Sequence, residues 1–291
     1  MNRHDELPSA IELEPTPVTP WIMFTKHLEG WSLDQIIEGL KLATVQGADL
    51  CVRPGYPVDT DNVEKALPDA ARRFVDAGLS IPLVTTPGDF VTPNVDYAER
   101  LFAGCAAAGV KLIKLGYWHM EDDGYWATLD RCRKHLEGFA KLAEKHGVKP
   151  IVHNHSGASM GLNSCGAMNL MRGFDPNHVG VFADAGHLAL VGEPVEMALD
   201  IVQEYLAAVA VKDLVKEHVM VASMDETWGL DVRPLGSGFV NFPALIETLR
   251  KIDFTGPISF HCEYYRMPPE SVIDQCRIDT RYIRTLMEKS A

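Results

Sequence analysis

Eight times along the chain, a short run of apolar, β-branched or aromatic residues gives way to polar or glycine residues and then to a longer segment of helical period. This alternation constrains the fold more than any other feature. The runs are WIMFTKHL from Trp21, ADLCVRPG from Ala48, IPLVTT from Ile81, VKLIKLGYW from Val110, KPIVHNHS from Lys149, VGVFADAGH from Val179, LAAVAVKDL from Leu206 and GPISFHCEY from Gly256, and each reads as a strand. Between them Leu33 to Gln46, Asn62 to Ala77, Tyr97 to Ala108, Trp126 to Lys145, Pro194 to Leu206, Pro243 to Lys251 and Pro269 to Glu288 predict helices, with a less regular one on Ala167 to Arg172. Eight such units without an interrupting linker predict one closed (β/α)8 barrel over residues 21–291 in preference to an open sheet. An open sheet would ordinarily carry a glycine-rich phosphate loop after its first strand. Here Glu29-Gly30-Trp31 follows, without GxGxxG spacing, so dinucleotide binding gains no support. Residues 1–20 hold Pro15, Pro17 and Pro20 and few apolar side chains, and are expected to form a mobile or loosely docked arm.

Several function classes fall away on composition. The 291 residues are 46% hydrophobic and 23% charged, enough for a large core and far from a disordered or fibrous chain. A formal net charge of -13 repels a phosphate backbone, which excludes nucleic acid as an expected partner. Six cysteines without a CxxC pair read as reduced, mostly buried thiols. No segment resembles a signal peptide or a membrane span, so the expectation is a soluble cytoplasmic protein with no membrane partner. Whether it forms a homo-oligomer is left open.

Active sites of α/β barrels lie at the carboxyl ends of the strands, and polar residues gather there. His153 and His155 share a parity on the fifth strand, Asp184 ends the sixth and is followed by His187, and His261 and Glu263 share a face on the eighth. Any one of these histidines alone would read as a hydrogen-bonded structural residue. Their convergence with two carboxylates makes the nitrogen and oxygen donor set that suits Mn2+, Zn2+, Co2+ or Fe2+. Asp184 and Glu263, brought close together, are expected to need such a cation. His135, His146 and His218 lack this company and read as solvated. Lys26, Arg53 and Lys114 interrupt otherwise apolar strands, and Lys212 shares the inward parity of Ala208 and Ala210. Each is either an ion-pair partner for Asp49, Asp213 or Glu263, or a group that recognises substrate oxygens. Lys212 is favoured as an acid or base, or as a stabiliser of an oxyanion. The long interval from Val215 to Pro234 is expected to form a lid that points Trp228 toward the substrate.

With DAGH at Asp184–His187, VKD at Val211–Asp213, PLGSGFVNFPALIETL after it and GPISFHCEY at the end, the chain resembles the xylose-isomerase-like TIM barrel superfamily. That is the sugar phosphate isomerase/epimerase group, which also holds inosose dehydratases, ketose 3-epimerases and endonuclease IV. The resemblance runs from about Trp21 to the C-terminus and implies Asp184 and Glu263 as metal ligands and His187 as a residue that orients substrate. Two ligand positions depart from the pattern. His153-Asn154-His155 stands where a Glu-Asn-His run is usual, and Ala210 stands where the seventh-strand histidine is usual, so His153 or His155 is expected to substitute. The resemblance implies a metal-dependent isomerase or epimerase that removes a proton beside the carbonyl of a sugar-like small molecule, with the metal stabilising the enediolate. The ion would be Mn2+ foremost, with Zn2+, Co2+, Fe2+ or Mg2+ as alternatives. The second expectation is a lyase or dehydratase acting by β-elimination on a keto-sugar, inosose or 3-keto-glycoside. The expected site therefore comprises Glu263, His153 and Lys212 as catalytic groups; Asp184, Glu263, His153 and His155 as metal ligands; and His187, His261, Arg53, Lys114 and Trp228 as substrate-binding residues.

Overall fold

The structure is a computed structural model that describes residues 19–220 and 226–289, so the expected arm lies outside it apart from Thr19 and Pro20. All eight expected strands form. The first seven are β1 (Trp21–Phe24), β2 (Gly47–Cys51), β3 (Ser80–Thr85), β4 (Leu112–Lys114), β5 (Lys149–His153), β6 (Gly180–Asp184) and β7 (Leu206–Val211). An antiparallel ribbon, β8 (Asp213–Met220) and β9 (Glu226–Arg233), precedes the last barrel strand, β10 (Ile258–Phe260). The barrel closes where β1 lies parallel between β2 and β10, with Met23 opposite both Ala48 and Phe260. Helices α1 (Leu33–Leu42), α2 (Val63–Asp76), α3 (Ala98–Ala108), α4 (Tyr125–His146), α5 (Ser164–Met171), α6 (Ala185–Leu190), α7 (Val195–Val202), α8 (Phe242–Lys251) and α9 (Pro269–Lys289) occupy the connections.

Strand alternation divides the apolar residues into two bodies. Ile22, Leu83, Leu112, Ile151, Phe182, Ala208 and Ala210 plug the barrel interior. Their neighbours Met23, Val84, Ile113, Val152 and Val209 face outward into the larger layer beneath the helices. The plug fills the lower barrel, so the next inward positions along β5, β6 and β7 lie on top of it. These are the positions of His153, Asp184 and Lys212.

Three segments differ from the sequence expectation, each for a local reason. The first apolar run ends as a strand at Phe24, because Thr25–Leu28 turns into a 3-10 helix. The Ala-Gly-His end of the sixth run opens α6, whose start is capped by the Asp184 side chain accepting from the backbone of His187. The Val215–Pro234 interval is largely the β8–β9 ribbon, paired from Asp213 opposite Arg233 to Met220 opposite Glu226, with residues 221–225 outside the described ones.

A two-stranded ribbon is marginal by itself, and Asp213 fastens this one at its base. Its Oδ1 accepts from Leu214 N at 2.9 Å and Val240 N at 3.2 Å, and its Oδ2 from Gly236 N at 2.9 Å and Gly238 N at 2.7 Å. Gly236 has φ +85°, and a Cβ on Gly238 would fall 2.1 Å from Asp213 Oδ1. The Pro-Leu-Gly-Ser-Gly sequence is thus a cradle for a carboxylate.

Candidate active site

Asp184 is completely buried and organises the rim of the barrel. The Asn154 side chain ties β5 to β6 by accepting from Asp184 N at 2.6 Å and donating to Asp184 O at 3.4 Å. Asp184 Oδ1 caps α6 through His187 N at 3.0 Å. Its Oδ2 faces three nitrogens: His153 Nε2 at 3.2 Å, His261 Nδ1 at 3.3 Å and Lys212 Nζ at 3.2 Å. Because Ala210 stands beside Asp184 in register, only a methyl group occupies that position of the plug.

Lys212 joins the acidic groups. Its ammonium lies 3.1 Å from Glu263 Oε2 and 2.8 Å from His187 Nε2. The other Glu263 oxygen, Oε1, accepts from Lys26 Nζ at 2.6 Å and from Tyr265 Oη at 3.0 Å. The two carboxylates therefore have their counter-charge from lysines, which removes the sequence-based reason for requiring a metal between them. Burial works against the charge on Lys212, yet Asp184 and Glu263 outweigh it and hold the amine above its ordinary range. Burial alone would likewise raise Asp184 and Glu263, but Lys212 foremost among their neighbours holds both well below the carboxylate range.

The histidines fall into two groups. Burial keeps His153 well below its usual value and His155 below it, and brings His187 down to about 3, with Lys212 adding to the effect there. All three are neutral at pH 7. An ammonium cannot accept a hydrogen bond, so His187 Nε2 accepts from Lys212, while Nδ1 lies 2.9 Å from Ser156 Oγ and 3.3 Å from the Ser156 backbone N–H. His155 donates Nδ1–H to Ser156 O at 2.8 Å, which leaves Nε2 as its basic atom. His261 is shifted in the other direction. Burial opposes its charge, but Asp184 and Asp49, on opposite sides of the ring, raise it. Asp49 lies inside the barrel, where it accepts from Thr85 Oγ1 at 2.5 Å and Ser259 Oγ at 3.1 Å.

These groups wall a cavity of about 370 Å³, within the size range of small-molecule sites. Of the expected site residues, His153, His155, His187, Lys212, His261, Glu263 and Arg53 line it, and Asp184 lies directly behind. Lys114 is fully buried below the rim, its Nζ 4.1 Å from the centre of the Tyr117 ring. Trp228 is 58% exposed and is not part of the cavity wall. It packs instead against His218 and Lys216 of the paired strand, while Leu214, Leu230, Asp231 and Val232 of the ribbon face the cavity. The sequence reading missed Tyr117, Ser156 and Tyr265 in the wall. Tyr117 and Ser156 end strand runs and Tyr265 follows Glu263 by two, so strand-end position was the available signal.

The site also offers donors for a divalent metal. One ligand atom each of His153, Asp184 and His261 lie within 4.8 Å of one another. The nitrogens that face the carboxylate are His153 Nε2 and His261 Nδ1, at 3.2 and 3.3 Å from Asp184 Oδ2. Two imidazoles and one carboxylate are a recognised set for a transition ion with open positions, so the residues fit. The trio differs from the expected set: His261 joins it, while Glu263 is bound by two ammonium groups and His155 is turned to Ser156.

A family model described as xylose isomerase-like TIM barrel matches residues 75–278. No curated protein matches the chain in sequence. Among solved structures, a D-psicose 3-epimerase from Clostridium cellulolyticum H10 with D-tagatose superposes with TM-score 0.70 at 12% identity, covering 92% of this chain and 99% of that one. The E. coli 3-keto-D-glucoside 4-epimerase YcjR superposes with TM-score 0.68 at 14% identity, over 92% and 99%. The IolI protein with a bound zinc atom superposes with TM-score 0.69 at 16% identity, over 94% and 99%. At these identities the likeness is one of fold. No helix of the described residues is long and apolar enough to cross a membrane.

Proposed function

We propose that this chain, which belongs to the xylose isomerase-like TIM barrel family, is an isomerase or epimerase that moves a proton on the carbon beside the carbonyl of a sugar-like small molecule. The observation that carries this reading is the pairing, in one cavity, of a fixed ammonium acid with neutral or anionic bases. A divalent cation held by His153, Asp184 and His261, Mn2+ or another transition ion, supplies Lewis-acid polarisation of the carbonyl when bound. Lys212 donates to the oxygen on which negative charge develops, and Asp184 and Glu263 keep it protonated for that task. His155 offers Nε2 as a base, its tautomer fixed by the bond to Ser156 O. Glu263 offers a carboxylate from the opposite part of the barrel, with its pKa held low by Lys212 and Lys26 among its neighbours. A base on each side of the substrate suits epimerisation; one base acting with Lys212 suits aldose–ketose transfer. Solved structures of the same fold are sugar epimerases by name, which agrees with this assignment.

The test is to incubate keto-sugars with enzyme in deuterated water and follow exchange at the carbon beside the carbonyl. His155→Gln and Glu263→Gln are each expected to slow exchange by roughly 10²-fold or more. Normal exchange in both would remove them from the proton path. A second reading, elimination, draws on the same Lys212 ammonium, which could protonate a leaving hydroxyl. Loss of mass from the product would favour it, since isomerisation conserves mass.

A further inference from the structure

The charges of the cavity are matched in pairs, except at one wall. Lys26 and Lys212 are bound to Glu263 and Asp184 at 2.6 to 3.2 Å. Asp231, on the ribbon, pairs with Arg233 at 3.0 Å. Arg53 follows β2 and lines the cavity, but none of the carboxylates among the described residues lies within ion-pair distance of it. Its one side-chain hydrogen bond among the described residues runs from Nε to Thr86 O at 3.0 Å. That bond orients the guanidinium, which lies 5.9 Å from the centre of the Phe24 ring, and leaves its Nη groups without a hydrogen bond among the described residues. The buried Lys114 stands on the same side of the barrel, hydrogen-bonded among the described residues only to Leu115 O at 3.3 Å, and burial followed by the charge of Arg53 lowers it to about 7. A chain of net charge -13 thus holds an unmatched guanidinium inside its cavity, with a second basic group behind it. A solvated surface arginine needs no partner, but a half-buried one fixed through Nε presents a planar fork suited to an oxyanion.

We propose that Arg53 receives an anionic group of the substrate, a carboxylate or a phosphomonoester, so that the natural substrate is an acidic sugar derivative. The sugar-like part rests on the isomerase reading above; the anionic part rests on the charge pattern alone. The substrate would lie across the cavity, its anionic end at the β2 wall and its carbonyl toward Lys212.

The experiment compares matched probes by calorimetry: D-glucuronate against D-glucose, and D-fructose 6-phosphate against D-fructose. At least one acidic probe is expected to bind roughly 10- to 100-fold more tightly than its neutral partner, and to lose that advantage as salt screens the charge. The preferred pair tells a carboxylate from a phosphomonoester. Arg53→Gln should collapse the ratio toward one and Arg53→Lys should restore part of it, with thermal melting confirming that both variants fold. Equal affinity within both pairs, absent binding included, overturns the proposal, as does a ratio that survives in Arg53→Gln. Turnover of neutral keto-sugars as fast as of acidic ones would sink it while leaving the isomerase reading intact. Tight binding of an acidic probe without proton exchange in any substrate would do the reverse.

Discussion

Replacing Lys212 with methionine tests the central electrostatic argument, because it removes the charge and keeps most of the volume. The ammonium lies 3.2 Å from Asp184 Oδ2 and 3.1 Å from Glu263 Oε2. At an effective dielectric of roughly 20, each contact attracts by about 5 kcal/mol before desolvation is counted. Deleting one member of such a buried group leaves uncompensated charge, and the net loss is about 3–5 kcal/mol. The sign with pH follows from the carboxylates. In the wild type both are depressed, so they contribute stability that is present above about pH 4 and lost as pH falls through their folded values. Without Lys212, Asp184 loses its ammonium partner and burial raises it, whereas Glu263 keeps Lys26, so the variant takes up a proton at Asp184 on acidification and recovers. The gap between the proteins should be widest at pH 7 and narrow toward pH 5. Urea unfolding at the two pH values, with a chelator present, measures it. A gap below about 1 kcal/mol at pH 7, or one independent of pH, would refute the reasoning.

Three further outcomes are expected. Asp213→Ala strips four backbone donors of their acceptor and should cost about 3 kcal/mol or more in urea unfolding, whereas a loss within about 0.5 kcal/mol would mean that the cradle is incidental. Asp279, buried against Tyr264, is raised from 3.8 to about 6, chiefly by burial, so folding binds its proton more tightly and stability should fall by roughly 2 kcal/mol as pH rises from 4 to 6; Asp279→Asn should flatten that slope, and an unchanged slope would count against the assignment. Equilibrium dialysis with Mn2+ or Zn2+ should show His153→Ala and His261→Ala losing at least about 100-fold in affinity, with His155→Ala nearly normal; equal retention by all three would remove the trio as the metal site.

The barrel was legible because its code is local. Period-two apolar runs and their helical followers appear in the sequence in the order in which they close, and all eight strands formed where those runs lie. Parity likewise placed Lys212 with Ala208 and Ala210. What parity could not supply is distance between strands. It could not tell that Lys212 reaches Asp184, Glu263 and His187 together, nor that His261 approaches Asp184 while His155 turns to its neighbouring carbonyl. The ribbon was hidden for a different reason. Its pairing is stabilised across the two strands and by Asp213 at their base, so Val215 to Pro234 carries little signal of its own and reads as a loop. Trp228, large and near the rim, invited a role in the cavity; it shares a ribbon face with Leu230 and Val232 but stands farther from the ribbon base, against His218.

The knot around Asp213 has an implication for how this barrel could be rebuilt. One carboxylate clamps both the departure of the chain into the ribbon and its return at Gly236 and Gly238, and it does so next door to Lys212 in sequence. The side-chain partners of Lys212 among the described residues, Asp184, His187 and Glu263, all lie outside the ribbon. The ribbon can therefore be shortened, lengthened or exchanged as a cartridge that redraws the mouth of the cavity through Leu230 and Val232, while the chemistry beneath stays in register.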